Sequence, residues 1–212
     1  MSKATIKNSK RLSWLLRHGI KEAGIPMDAA GWVDAADVLD ALDLSHKQLL
    51  DAVATNDKGR LQLAGDRLRA CQGHSRANMP VTRDALEASW RTFQPETQDQ
   101  GSLWHGTGVG AIRGIAAQGI QPGERTHVHL APRPDSHVGK RASVELLLEV
   151  SLDRLANVGI SIFEAPNGVV LVRHVPLDCI IDVTAKTTAR GAVLVAARHD
   201  LGLDQRPCRR SP

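Results

Sequence analysis

Residues 60–70 read Arg-Leu-Gln-Leu-Ala-Gly-Asp-Arg-Leu-Arg-Ala. Two short runs alternate polar and apolar side chains, the period of a half-buried strand, and Ala64-Gly65-Asp66 supplies a turn between them. The stretch predicts a β-hairpin. Just upstream, Asn56-Asp57-Lys58-Gly59 is a second turn signal. Before that, Ser45 with Gln48 three residues on forms a capping box, opening a helix that carries Leu49, Leu50 and Val53. Asp34 caps another helix with Val38, Leu39 and Leu42 on one face, and Gly31-Trp32-Val33 supplies a short strand. Farther back, Leu12, Leu15, Leu16 and Ile20 recur at helical spacing. They predict a helix over residues 10–19, with Ser9 as its cap and Gly19 or Gly24 as its end. Helix, short strand, two helices and hairpin follow the order of a winged-helix module, placed at residues 1–70.

The remainder is richer in strands. A polar connection from Met79 to Gly101 holds a helix over Asp84 to Trp90. Leu103-Trp104-His105 ends a strand, Val109 to Gln118 is a helix with Gly119 at its C-terminal cap, and His127 to Leu130 is a strand. Val144 to Val150 is nearly continuous in apolar residues, as a buried strand is. Ser161 to Ala165 and Val169 to His174 flank Pro166-Asn167-Gly168, a further hairpin. The expected class is α+β, with residues 204–212 as a flexible tail.

Composition narrows the partners. The chain has 212 residues, 42% of them hydrophobic, enough for one or two packed cores. Twenty-seven Lys and Arg against 23 Asp and Glu give a net charge of +4, a mild tilt toward anions. Aromatic residues are only 3%, with no Tyr, so charge rather than a stacking platform is the expected main device for any nucleic acid. Cys71, Cys179 and Cys208 fit neither a disulfide framework nor a zinc module and read as reduced thiols. No apolar run is long enough for a membrane span and the N-terminus lacks the apolar core of a signal peptide, so the expected location is the cytoplasm. A monomer is the simplest expectation.

Arg17 and His18 lie off the Leu stripe of the first helix, and Arg60 opens the hairpin. Any one of them is explained by a solvated face. Several guanidiniums aimed at one point would instead make a phosphate site, because each planar fork donates charge-assisted hydrogen bonds. His105-Gly106-Thr107-Gly108 stands where a strand hands over to a helix, a place where glycine lets a ligand approach the main chain. It is not the glycine fingerprint of a Rossmann fold. His127 and His129 alternate along a strand, but a third metal ligand is missing and no metal is expected.

Taken together, Leu-Leu-Arg-His-Gly, Asn-Asp-Lys-Gly-Arg, Gln72-Gly73-His74-Ser75, His105-Gly106-Thr107 and Arg125-Thr-His-Val-His-Leu resemble the RNA 2′-phosphotransferases, in the family's order across residues 9–183. The resemblance implies a winged-helix RNA lobe (residues 1–70), an ADP-ribosyltransferase-like NAD lobe (71–203) and consumption of NAD⁺ as co-substrate. The internal 2′-phosphate of an RNA, tRNA being the family's known substrate, would attack the nicotinamide ribose and expel nicotinamide. Transesterification would then yield 2′-hydroxyl RNA and ADP-ribose 1″,2″-cyclic phosphate. The family's Arg-His-Arg-Arg tetrad falls on Arg17, His18, Arg60 and Arg125, with Lys58 as a further phosphate contact. His105, Gly106, Thr107 and one or both of His127 and His129 would hold NAD⁺. Two other activities stay open at this point. One is an NAD⁺-dependent enzyme that caps terminal phosphates of RNA or DNA with ADP-ribose, and the other is a non-enzymatic winged-helix nucleic-acid binder.

Overall fold

The computed structural model describes residues 2–56, 58–97, 100–139, 144–185 and 191–204, which form two compact units. The expected tail lies outside them beyond residue 204. The first unit comprises Met1–Thr92, Gly123–His127 and Phe163–Gly168; the second comprises the rest. Helices and antiparallel sheets are present in both, so the chain is an α+β protein.

The first helix starts earlier than the apolar spacing predicts. α1 spans Lys3–Trp14 and is capped by Ser2, whose hydroxyl accepts from the Thr5 N–H; Ser9 sits inside the helix and its hydroxyl accepts from Asn56. The first two turns were hidden because their one large aliphatic residue, Ile6, is exposed. The chain then widens into a π turn, Leu15–Gly19, and closes with α2, Ile20–Ala23, which ends at left-handed Gly24. Leu12, Leu15, Leu16 and Ile20 all enter the core, as expected.

β1 (Val33–Asp34) leads into α3 (Ala35–Leu42), where Asp34 caps through the Ala36 N–H. α4 (His46–Ala54) carries both halves of the Ser45–Gln48 capping box. β2 (Leu61–Ala64) and β3 (Arg67–Ala70) form the predicted hairpin, with Leu63 opposite Leu68, and β1 adds to the far side of β3. Leu12, Leu16, Val38, Leu49 and Leu68 are fully buried and close this core. α5 (Arg83–Ala88), capped by Thr82, follows, and β4 (Arg91–Thr92) completes the run.

The second unit is built on an antiparallel sheet whose middle strand is β7 (Leu146–Ser151), flanked by β5 (Ser102–Thr107) and β10 (Ile180–Ala185). Leu146, Leu147, Leu148 and Val150 of β7 are all buried, which is why that run shows no alternation. β6 (Val128–Leu130) pairs with β9 (Val170–Val172). α6 (Ile112–Gln118) is entered by a 3₁₀ turn at Val109–Ala111 and ends at Gly119. A Cβ on Gly119 would lie 2.2 Å from the Val175 carbonyl oxygen, so only glycine fits that approach. α7 (Leu152–Asn157) and α8 (Ala192–Asp200) pack on the same core through Leu152, Leu155 and Ala197. Between them in sequence, β8 (Phe163–Glu164) belongs to the first unit, where it pairs with β4.

Candidate functional site

Arg17 and His18 sit in the π turn. The extra residue of such a turn shifts side chains off the α-helical period, a distortion common at functional sites. On the opposite side Leu15, Leu16 and Ile20 hold the turn to the core, so both polar side chains face away from it, half-buried. Gly19 closes the turn beneath the Trp14 ring, where a Cβ would come within 2.5 Å of the indole.

Several long-range connections converge beside this turn. The Ser75 N–H donates to the Arg17 carbonyl (3.0 Å), and Ser75 bridges to Arg125 in antiparallel fashion. Thr126 and Arg76 extend that pairing, their N–H groups donating to the carbonyls of His74 and Glu124. Gly73, at φ +91, brings its backbone so close that a Cβ would lie 3.3 Å from Arg17 Nε. Arg60 is set by the turn that precedes it: the Asn56 carboxamide oxygen accepts from both the Lys58 and Arg60 N–H groups, while its Nδ2 donates to Ser9 on α1. Asn167 donates to the Lys58 carbonyl from the other side.

The electrostatics show what these connections gather. Arg17 is pulled well below the ordinary guanidinium value, to about 10, first by burial and then by the positive fields of Arg60 and Arg125; the one opposing group is Cys71, not a carboxylate. Its Nε and Nη2 are inaccessible to solvent and make no hydrogen bond to the described residues. Burying a guanidinium beside two others without a counter-charge is costly, and such groups are ordinarily paired. An anion seated beside this guanidinium would supply the missing counter-charge. Arg17, Arg60 and Arg125 are thus brought together, and Lys58 lies two residues from Arg60 on the same turn.

His18 Nδ1 is within 2.7 Å of the Ser75 hydroxyl. Burial, then Arg17 and Arg125, lower its pKa below 6.5, against a smaller upward pull from Glu124. It is therefore neutral at pH 7 when the site holds no anion. His74 is fully buried with neither ring nitrogen hydrogen-bonded to the described residues, and burial with the nearby cations lowers it to about 3.

The histidines expected beside NAD⁺ fall in different units. His127 precedes β6 in the first unit, is 1% exposed, bonds Glu87 through Nε2 at 2.8 Å and meets the Trp90 ring edge-on. His129 lies within β6 in the second, and its carbonyl is 3.0 Å from His105 Nδ1. His105, Gly106 and Thr107 are consecutive on β5. Trp104 turns its N–H and carbonyl toward Ala131, and alternation along the strand points those of Gly106 to that same side. With no side chain there, a ligand can approach the main chain. The helix end beyond is less available than the sequence implies, because the Val109 N–H donates to Glu145 Oε2 at 3.0 Å.

Among the described residues no group of three or more His, Cys, Asp or Glu could hold a metal ion. None of the described helices is long and apolar enough to cross a membrane. The sequence reading did not give roles to Asn56, Ser75 or Asn167. Asn56 carried a usable signal, since Asn before Gly-containing turns often bonds its own backbone two residues on. The partners of Ser75 and Asn167 lie 57 and 109 residues away, beyond any local pattern.

Fold and site together define an α+β protein with three arginines, Arg17, Arg60 and Arg125, gathered in its first unit. Residues 3–174 match the model of the RNA 2′-phosphotransferase, Tpt1/KptA family, and the chain belongs to that family. It is 38% identical over 179 residues to a protein of Burkholderia lata named "Probable RNA 2′-phosphotransferase", covering 80% of this chain and 87% of that one. A protein of Agrobacterium fabrum with the same name is 35% identical over 198 residues, covering 89% of this chain and 98% of its own. Another, from Pseudomonas fluorescens, is 34% identical over 194 residues, covering 85% and 98%.

Proposed function

We propose that this chain removes an internal 2′-phosphate from RNA by transferring it to NAD⁺, in the two steps that its resemblance implies. The observation that carries the reading is the buried Arg17 guanidinium, which faces Arg60 and Arg125 and lacks a carboxylate partner. A 2′-phosphate dianion would accept from Arg17, Arg60 and Arg125, with Lys58 at the edge of the pocket. Fixed there, it needs no base to act as nucleophile toward the ribose, and the same three cations stabilise charge when the phosphorus is attacked in turn.

The second step begins at a hydroxyl and needs proton transfer. His18 suits it: its depressed pKa leaves an unprotonated imidazole near neutrality, and Ser75 holds the ring through Nδ1 so that Nε2 can take the proton. In this reading residues 1–70 are the winged-helix RNA lobe and residues 71–203 the ADP-ribosyltransferase-like lobe. NAD⁺ supplies an electrophilic ribosyl carbon with nicotinamide as leaving group. His105, Gly106 and Thr107 would hold it, with the His105 ring set by the His129 carbonyl. His127, the other histidine that the resemblance offers for NAD⁺, is buried against Glu87 and Trp90 of the first unit.

The test is nicotinamide release from NAD⁺ with RNA bearing an internal 2′-phosphate, followed by chromatography for ADP-ribose cyclic phosphate. Both products are expected, and His18→Ala should stall the second more than the first. Nicotinamide release with 5′-phosphorylated RNA but not with 2′-phosphorylated RNA would replace this reading with capping of terminal phosphates. No release with either would leave a binding protein.

A further inference from the structure

The exposed side of α1 is a second surface of the first unit. Lys3, Lys7, Lys10 and Trp14 follow one another at spacings of four, three and four, so they share one helical face, and all four are exposed. Asn8 and Leu12 turn into the core on the other side. The helix, Lys-Ala-Thr-Ile-Lys-Asn-Ser-Lys-Arg-Leu-Ser-Trp, contains no acidic residue. At a rise of about 1.5 Å per residue this basic stripe runs about 16 Å and ends at the turn that bears Arg17 and His18.

Trp14 gives the stripe its second feature. The indole is 57% exposed, and three consecutive atoms of its six-membered ring lie 2.5 to 3.2 Å from where a Gly19 Cβ would be, so that edge of the ring runs close to the Gly19 backbone while more than half of the residue stays open to solvent. A flat, exposed aromatic surface beside a phosphate pocket, continued by three lysines, fits single-stranded RNA, whose bases stack on rings and whose backbone follows positive charge. A membrane surface would ask for several apolar residues on the exposed face, and Trp14 is alone among lysines there.

We propose that the RNA strand flanking the modified nucleotide runs along α1, its backbone against Lys10, Lys7 and Lys3 and one base stacked on Trp14. The proposal rests on the reading that the Arg17 pocket takes an RNA 2′-phosphate, and it adds where the rest of the strand goes. It implies that affinity depends on RNA length as well as on the phosphate.

The experiment uses the full chain without NAD⁺, so that no turnover occurs. Fluorescence anisotropy would measure the affinity for a single-stranded RNA of about 12 nucleotides with one internal 2′-phosphate, within the span such surfaces cover. A 2′-phosphorylated dinucleotide competitor, too short to follow the helix, provides the comparison. Lys7→Glu with Lys10→Glu should weaken the long RNA at least tenfold more than the dinucleotide and reduce the slope of log affinity against log salt by about 1.4. Trp14→Ala should cost about tenfold on the long RNA, and Trp14→Phe should keep most of the affinity. Equal penalties on both ligands, or an unchanged slope, would overturn the proposal. So would loss of binding to anionic phospholipid vesicles with RNA affinity intact, which would assign the stripe to a membrane surface. Absence of nicotinamide release by the parent with 2′-phosphorylated RNA would refute the enzymatic reading alone, and the length and salt comparison would still decide the stripe.

Discussion

Replacing Arg17 with Met should make the unliganded protein more stable while abolishing its response to anions. Lowering of the guanidinium from its ordinary value to about 10 corresponds, at about 1.36 kcal/mol per decade, to about 3 kcal/mol of penalty carried by the folded state. Methionine keeps most of the apolar stem and removes the charge, so a net gain of about 1–3 kcal/mol is expected after lost contacts are counted. For a chain of this size that raises the melting temperature by about 2–4 °C per kcal/mol. The sign follows from linkage. Arg17 is a base whose folded pKa is depressed, yet at pH 6 to 9 it is protonated in both states, so the gap between parent and variant stays constant there and narrows only above pH 10. Three of the four tryptophans, Trp14, Trp32 and Trp90, lie in the first unit, so a melt followed by tryptophan fluorescence reports chiefly on it. Sulfate in excess should stabilise the parent by mass action beyond sodium chloride of equal ionic strength, by about 2.7 kcal/mol at a hundredfold excess over its dissociation constant, and raise its melting temperature accordingly. The variant should not respond, so the order of the two proteins narrows or reverses. A variant that melts lower than the parent without sulfate, or one that gains the same increment from it, would refute the anion pocket.

Gly19→Ala should destabilise the first unit by about 1–3 kcal/mol, since its φ of −110 suits alanine and only the Trp14 ring stands in the way. In a Trp14→Ala background the same change should cost almost nothing, a non-additivity that chemical denaturation of the four proteins would measure. His74 makes the protein acid-labile. Its folded pKa of about 3 lies below the ordinary 6.5, so the unfolded chain binds the extra proton and stability declines as pH falls through 6.5 toward 3. About 2 kcal/mol should be gone by pH 5, and His74→Leu should flatten that slope in denaturation curves taken from pH 7.5 to 5; an equal slope in the variant would rule His74 out as its cause.

What could be read from the residues was local. The Asp34 cap, the Ser45–Gln48 box and the 60–70 hairpin are written in neighbouring side chains, and each lies where it was expected. α1 began earlier because its first turns carry no buried stripe, and the π turn has no sequence signature of its own. α7, β10 and α8 went unassigned, although Ser151 caps α7 through the Arg154 N–H in the manner already recognised at Ser45. Of the site, the arginines and His18 could be named through resemblance, but not the reason they can bind. With 27 basic and 23 acidic side chains, the sequence does not tell which cations are neutralised. The fold does. Arg67 meets Asp28, Arg91 meets Glu164, Arg133 meets Glu96 and Arg198 meets Asp182, each basic partner in the solvent-exposed shell or at its edge.

Arg17 is treated differently, and the difference explains the glycine and the histidine beside it. A carboxylate placed against its Nε would satisfy the buried guanidinium and close the pocket to phosphate. Instead Gly73 brings backbone without a side chain up to Nε. The nearest acidic influence, Glu124, acts on His18 rather than on Arg17. The resulting field holds His18 below its ordinary pKa, and an anion that cancelled the repulsion of Arg17 and Arg125 would relax that lowering. In the proposed reaction a bound phosphate would therefore make the neutral imidazole a stronger base toward the hydroxyl of the second step, and an Arg17 without a carboxylate partner among the described residues is what would keep His18 responsive to that phosphate.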